Sequence, residues 1–480
     1  MLQSFDRSRA QTSQSSLGVN LNTLPLIELH THAEGGTLTP QTLNGLAKAN
    51  GMEPPRHLYG SGNRITYKPH DFFDFLKAYD EATAFILTKA DIEKVIYKYL
   101  KKCHFEGAMY VELTCSPDHV KRFRKKYEHV VQELESGTST HTQASEQEQS
   151  TNLSYADFVE AIARAIDRAR KDFGIEGRIL MVLLRHNGEE AAQQAVDEIL
   201  AYRHPYVVGI NLAGDETNFP PALFAKPYAK AKKHGLKLTA HVGEHAGPEK
   251  IIEAVNVLQL DRVGHGVTAI QSEKTMAFLR ERNIALELCP SSNVEFNIFP
   301  SLSAHPLRAF FDAKIKFTIN SDDNGFIGSS LGDEHRKAQE TFKLTDDDMQ
   351  LISQYGIESG FCDDLLKSQL FAHLALYRAY QQLKASLEPL RKNDVYKTLE
   401  AYARLPNEDA LRQLEECLQR TCLDRDDFTS LQTQMRALSL NHFDFQAKRK
   451  AQHDACEQAL AEFKLAHLQV QNESKRVAVK

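Results

Sequence analysis

Two imidazoles, His30 and His32, stand two residues apart where an apolar run breaks into Ala33-Glu34-Gly35-Gly36. Residues two apart on a strand face the same way, so the pair presents two nitrogen donors side by side, half of a metal site. An isolated His-x-His is more often an ordinary surface or hydrogen-bonded pair. The rest of the chain decides between the readings, because later strand-like segments also end in reactive groups: Ala213-Gly214-Asp215-Glu216, His241-Val242-Gly243-Glu244, His265-Gly266 and Ser321-Asp322-Asp323. Three histidines and a carboxylate suit a borderline ion such as zinc, whose catalytic form keeps one position open for water. His30, His32, His241 and Asp322 are the expected ligands of one Zn2+ per chain. Coordination lowers the pKa of that water toward neutrality, giving a nucleophile without a covalent enzyme intermediate. His265 is either a fifth ligand or the group that orients the nucleophile. Glu244, three residues past His241, suits proton transfer to a substrate.

Groups so far apart in sequence meet only on a scaffold that gathers strand ends. Short β-rich runs occur at Ile27 to His32, Ala108 to Thr114, Ile179 to Leu184, Val207 to Leu212, Leu236 to Ala240, Arg262 to Gly264, Ile284 to Leu288 and Ile315 to Ile319. The later runs alternate with amphipathic helical stretches at intervals of roughly 25 to 30 residues, the length of a βα unit. The pattern predicts an α/β protein, a (β/α)8 TIM barrel with lid helices and an additional helical C-terminal extension; the C-terminal strand ends then share one rim. A doubly wound open sheet competes, but the first turn has no Gly-x-Gly-x-x-Gly. A two-metal barrel hydrolase is the chemical rival. It needs a bridging carboxylate or modified lysine on a middle strand, and Val207 to Leu212 offers neither. The zinc deaminase scheme built on His-x-Glu and Pro-Cys-x-x-Cys is absent, since Cys289-Pro290 has the order reversed.

Along the chain, residues 1–23 read as a flexible leader, 24–370 as the barrel and 371–480 as the helical extension. Thr39 and Pro40 open a helix by capping and first-turn fit. Phe72, Phe75, Leu76 and Tyr79 form a helical stripe that is either core or a cover over the pocket. Lys121, Arg122, Arg124, Lys125 and Lys126 make a solvated helix face, and the Ser, Thr, Gln and Glu of 135–152 make a disordered insertion. Ser154 caps a helix that ends at Gly174. The extension, with Leu411, Leu414 and Leu418 at helical spacing, is expected to pack against the barrel, a second copy or a protein partner.

Composition narrows the classes. A hydrophobic share of 42% supports a large core, and 58 basic against 64 acidic residues, net charge -6, argue against a general nucleic-acid or membrane surface. No run is long and apolar enough to span a bilayer, and Met1 to Asn20 is polar rather than a signal peptide, so a soluble cytoplasmic protein is expected. The 7 cysteines are odd in number and scattered, as reduced thiols are.

Taken in order, His30-Thr31-His32, Leu212-Ala213-Gly214-Asp215-Glu216, His241-Val242-Gly243-Glu244, Arg262-Val263-Gly264-His265-Gly266, Cys289-Pro290-Ser291-Ser292-Asn293 and Asn320-Ser321-Asp322-Asp323 resemble the adenosine deaminase family, from about Leu24 to Phe371. The resemblance implies hydrolytic removal of the purine 6-amino group on a metal-dependent barrel. By position, Glu244 protonates N1, and His265 with Asp322 positions and activates the water. Asp323 meets N7, the Gly214 backbone approaches N3, and Phe75 and Tyr79 cover the base. With His32 and Glu34 these make the expected substrate contacts. Glu34 stands where adenosine deaminases commonly have Asp and adenine deaminases Glu, whereas Gly264 resembles the nucleoside enzymes; Asn324 replaces a frequent proline. The expected reaction is adenosine or 2'-deoxyadenosine to inosine and ammonia. Adenine and 5'-modified adenosine are the alternatives, and a non-catalytic binding protein on the same barrel is the reading from another class. The expected partner is a small purine nucleoside or base, with no nucleic acid and no membrane.

Overall fold

Near-continuous apolar runs form eight parallel strands: β1 (Leu26–His32), β2 (Ala108–Cys115), β3 (Glu176–Leu184), β4 (Val207–Ala213), β5 (Lys237–Val242), β6 (Arg262–His265), β7 (Ala285–Leu288) and β8 (Phe317–Ile319). Strands covered on both faces read this way rather than alternating, and here nearly every strand residue is buried. The computed structural model describes residues 23–118, 153–387, 394–404, 408–423 and 458–470. The expected leader up to residue 22, the basic run from Lys121 to Lys126 and the 135–152 insertion lie outside the described residues.

Each strand pairs with the next in sequence order from β1 to β8, and the sheet returns on itself to make a (β/α)8 barrel. The closing seam combines two bonds to side chains with one between backbones. Leu29 N donates to Asn320 Oδ1 at 3.0 Å, Ser321 N to Glu28 Oε2 at 3.1 Å, and Asp322 N to the His30 carbonyl at 3.0 Å. Because β8 is only 3 residues long, these bonds replace a ladder and bring the first and last functional segments together.

Helices follow the strands as expected: α1 (Pro40–Ala49), α2 (Phe72–Thr83) and α3 (Lys89–Phe105) after β1, then α4 (Tyr155–Phe173), α5 (Gly188–Ala201), α6 (Ala225–Lys233), α7 (Pro248–Leu258), α8 (Glu273–Glu281), α9 (Pro290–Glu295), α10 (Leu307–Asp312), α11 (Asn324–Ile327), α12 (Leu331–Phe342) and α13 (Asp346–Ser359). Their ends follow local chemistry. Thr39 caps α1 with Pro40 in its first turn, and Ser154 with Asp157 forms a reciprocal box at the start of α4. Gly174 at φ 74 ends α4, a backbone angle that costs an L side chain and suits glycine. Asn324 opens the single turn of α11, a position that accepts proline as well, so its replacement of proline leaves a helical start in place.

A second compact unit begins at Asp363, whereas the sequence pattern placed its edge near Phe371. The cause is an ordinary cap: the Asp363 carboxylate accepts Leu366 N at 2.9 Å and starts α14 (Asp364–Leu387) seven residues before the apolar spacing becomes obvious. With α15 (Asp394–Arg404), α16 (Glu408–Leu423) and a helix at 458–470, it buries Tyr380, Leu383, Leu399, Tyr402, Leu414 and Phe463 in a core of its own. Among the described residues, no helix is long and apolar enough to cross a membrane.

Candidate active site

The rim of the barrel gathers the expected donors. His30 and His32 are the fifth and last residues of β1, His241 lies inside β5 rather than after it, and Asp322 follows β8. One donor atom from each of the four lies within 4.8 Å of the others. His32 Nε2 and His241 Nε2 are 3.2 Å apart, and Asp322 Oδ1 is 3.5 Å from His32 Nε2 and 3.7 Å from His30 Nε2. Donors each about 2.0–2.2 Å from one tetrahedral ion stand about 3.3 to 3.6 Å apart, so the set fits a zinc-sized cation. His30 Nε2 is fully buried and meets no hydrogen-bond partner, which a cation would relieve.

The other ring nitrogens are fixed from behind. His241 Nδ1 donates to Asn211 Oδ1 and the Leu212 carbonyl, both at 3.1 Å, which leaves Nε2 bare for a metal. His30 Nδ1 lies 2.7 Å from Glu287 Oε2. Glu287 in turn accepts from Thr239 Oγ1 at 2.8 Å and Arg262 Nε at 2.7 Å, and Arg262 also reaches Glu112 at 2.6 Å. Burial alone raises the Glu287 carboxyl; the Arg262 guanidinium and His30 outweigh it and bring it down to about 2. Burial, then the neighbouring histidines, hold His241 well below the ordinary histidine range, in the neutral form that ligates.

Beside this cluster lie three groups with shifted protons. Glu244 is pushed well above the usual carboxylate range by burial, then by the Asp322 and Glu216 charges, which favours its protonated form. Asp323 is raised by burial, then by Asp322, Glu34 and Glu244, which favours its protonated form as well. His265, whose Nε2 is 3.6 Å from Glu244 Oε2, is lowered to about 3 by burial and then by His30. The backbone carrying Glu244 is itself clamped: the buried Glu216 carboxylate accepts the N–H groups of Gly243, Glu244, His245 and Ala246 at 2.5 to 3.3 Å. His265 and Asp322 both hold φ 56, unusual for side-chain-bearing residues, at the two rim turns where chemistry is expected.

A cavity of about 120 Å³ opens over the cluster. Phe72, Phe75, Leu76 and Tyr79 of α2 form its apolar wall with Phe296, in edge-to-face contacts such as Phe75 on Phe296 at 5.0 Å. Glu34, buried at the same cavity, accepts Ser116 N at 2.9 Å and faces the Tyr79 hydroxyl at 3.5 Å.

The comparisons with known proteins decide the family. The adenosine deaminase family model matches residues 25–377. The chain belongs to the adenosine deaminase family. Among curated family members, the adenine deaminase of Rhizobium leguminosarum bv. trifolii is 30% identical over 351 residues, covering 73% of this chain and 99% of that protein. The adenine deaminase of Chelativorans sp. is 31% identical over 347 residues, 72% and 97% of the two chains. Among solved structures, adenine deaminase from Arthrobacter aurescens superposes with a TM-score of 0.63 at 25% identity, over 74% of this chain and 99% of that one. A zinc-bound amidohydrolase from Burkholderia ambifaria, at 24% identity and a TM-score of 0.62, shares the fold. The protein is a hydrolytic deaminase acting on a C–N bond.

For the family member in hand, the structure brings every expected residue to one place: His32, Glu34, Phe75, Tyr79, Gly214, His241, Glu244, His265, Asp322 and Asp323 line the cavity, and His30 lies beneath it. Sequence reasoning missed His186, which lines the cavity just after β3; the same strand-end rule that found the others would have found it. It also gave no role to Glu216, Glu287 or Asn293. Their side chains touch ligands and proton carriers through hydrogen bonds that no local spacing announces.

Proposed function

We propose that the protein hydrolyses adenine to hypoxanthine and ammonia. A zinc ion held by His30, His32, His241 and Asp322 would supply, when bound, a water acidified toward neutrality. The chain's own groups do the remaining work. Addition of water to C6 pushes electron density onto N1, and Glu244, arriving protonated, delivers its proton there, which stabilises the transition state more than the ground state. Asp323, also protonated, donates to N7. Gly214 at φ 100 brings its backbone toward N3; a Cβ there would stand 3.1 Å from His186 Nδ1. The proton that the water loses on adding passes by way of Asp322 to the leaving amine, and the C6 hydroxyl proton returns to Glu244, so that collapse of the adduct releases ammonia and leaves hypoxanthine.

The observation that carries the choice of free base is Glu34. Glu34 lines the same cavity as Asp323 and Gly214, and its charge reaches Asp323. With N7 at Asp323 and N3 at Gly214, the ring edge between them is C8–N9, which this reading assigns to Glu34. Free adenine carries an N9–H that a carboxylate accepts; a nucleoside has none. The curated relatives reported above are adenine deaminases, which supports the same reading. Gly264, which favoured adenosine on sequence, has a separate explanation in packing: a Cβ there would lie 3.1 Å from His30 Cε1 and from the Ala240 carbonyl. Rates of ammonia release from adenine, 9-methyladenine and adenosine test the proposal. Adenine should exceed 9-methyladenine in kcat/KM by roughly 10- to 100-fold, the worth of a hydrogen bond to a charged group. Adenosine turned over faster than adenine overturns it.

A further inference from the structure

Behind His265 runs a row of buried polar groups that the reaction above does not use: Asn293 in α9, and His305, which lies just before α10. Its polarity follows from one end. A backbone N–H only donates, and Leu307 N meets His305 Nδ1 at 3.2 Å, so Nδ1 is the bare nitrogen of that ring. The ring proton therefore sits on Nε2, which lies 3.2 Å from Asn293 Oδ1 and donates to it. The carboxamide is thereby oriented, with its N–H groups turned the other way. Both are used: Asn293 Nδ2 is 3.3 Å from Glu244 Oε1 and 3.3 Å from His265 Nδ1. An Nδ1 that accepts forces the His265 proton onto Nε2, and that N–H lies 3.6 Å from Glu244 Oε2 and 3.9 Å from Asp322 Oδ2. The opposite tautomer sets two N–H groups against each other at Asn293 and turns a lone pair toward the Asp322 carboxylate.

We propose that His305, acting through Asn293, is a positioning residue that locks His265 in the Nε2–H tautomer, so that His265 serves the reaction as a hydrogen-bond donor and not as a fifth metal ligand. The same amide makes Glu244 Oε1 an acceptor, which leaves Oε2 to carry the proton that goes to N1. One backbone N–H, two residues past His305, thus sets the direction of the whole row. The role assigned to the His265 donor rests on the deaminase reading; the tautomer does not.

Ring-nitrogen NMR on the full-length, zinc-loaded protein with 15N-labelled histidine tests it, the His265 signals being identified by their loss in His265→Gln. His265 should show a protonated Nε2 and a bare Nδ1. His305→Leu should mix the two tautomers and lower kcat about 10- to 100-fold at unchanged zinc content, as loss of a supporting hydrogen bond does. His305→Gln, whose amide can still donate to Asn293, should restore both. A wild-type His265 protonated on Nδ1, or a tautomer unmoved in His305→Leu, overturns the proposal, and the wild-type spectrum decides if that variant does not fold. If the NMR pattern holds while no aminopurine is turned over, the deaminase reading falls and the tautomer lock stands.

Discussion

The two sides of the cavity are built on different physics. On the metal side, His30 is backed by Glu287, His241 by Asn211 and the Leu212 carbonyl, and the Glu244 segment by Glu216, each through directional bonds between buried groups. On the α2 side, Phe72, Phe75 and Tyr79 meet Phe296 and Phe326 through ring contacts at 5.0 to 5.9 Å, with Phe73 63% exposed beside them. Reacting atoms tolerate errors of well under an ångström, and hydrogen bonds to charged groups supply that precision. Excluding water from a base needs area rather than angle, and aromatic packing supplies area. Substitutions on the two sides should therefore differ in kind as well as in size.

The sharpest break comes at a ligand. His241→Ala removes one of four donors and leaves a hole beside three others, so metal content measured by elemental analysis should collapse, and ammonia release with it. Next is Glu244→Gln, which keeps shape and metal but cannot give up a proton: kcat should fall about 10²- to 10⁴-fold. The pH profile separates the two. Glu244 works in its protonated form and its pKa is raised, so wild-type activity should be held below that raised value and lost as pH climbs past it. Residual activity in Glu244→Gln should lack this alkaline limb. A variant with a normal limb would show that another group donates to N1.

Support behind a ligand should matter less than the ligand. Glu287→Gln leaves His30 in place but weakens its partner and removes the charge that holds Arg262 Nε, so metal affinity should drop about 10- to 100-fold in a chelator titration. Its acid stability changes as well. The Glu287 pKa falls from an ordinary 4.5 to about 2 on folding, so its stabilisation is complete above 4.5 and lost as pH drops toward 2. The melting temperature of the metal-free variant should accordingly fall less between pH 5 and pH 3 than that of the wild type.

These supports also mark what the sequence could and could not tell. The barrel was legible because parallel strands buried on both faces read as apolar runs, and the rim chemistry because strand ends can be counted. His30, His32, His241 and Asp322 stand out by type and position alone. Glu287 lies in the middle of Ala285–Leu288, where a charge reads as a break in a strand; its meaning appears only once Arg262, 25 residues away, is seen to bond it. Glu216 was visible as a letter in a familiar string, but four N–H groups converging on its carboxylate are a property of a folded turn.

The mildest changes belong on the aromatic side. Tyr79 stacks on Phe326 at 5.8 Å, and its hydroxyl stands 3.5 Å from Glu34 Oε1, too far for a strong bond. Glu34 keeps its firmer bond from Ser116 N at 2.9 Å when that hydroxyl is gone. Tyr79→Phe should therefore leave kcat within about twofold and the metal untouched, and raise KM for adenine only a few-fold, since a bond of this length is worth less than about 1 kcal/mol. Phe75→Leu should cost more in KM than in kcat, because it loosens a wall that binds ground and transition states alike. A large fall in kcat for either variant, with KM unchanged, would mean that the aromatic side places reacting atoms after all, and that the division between precise and merely covering walls is drawn in the wrong place.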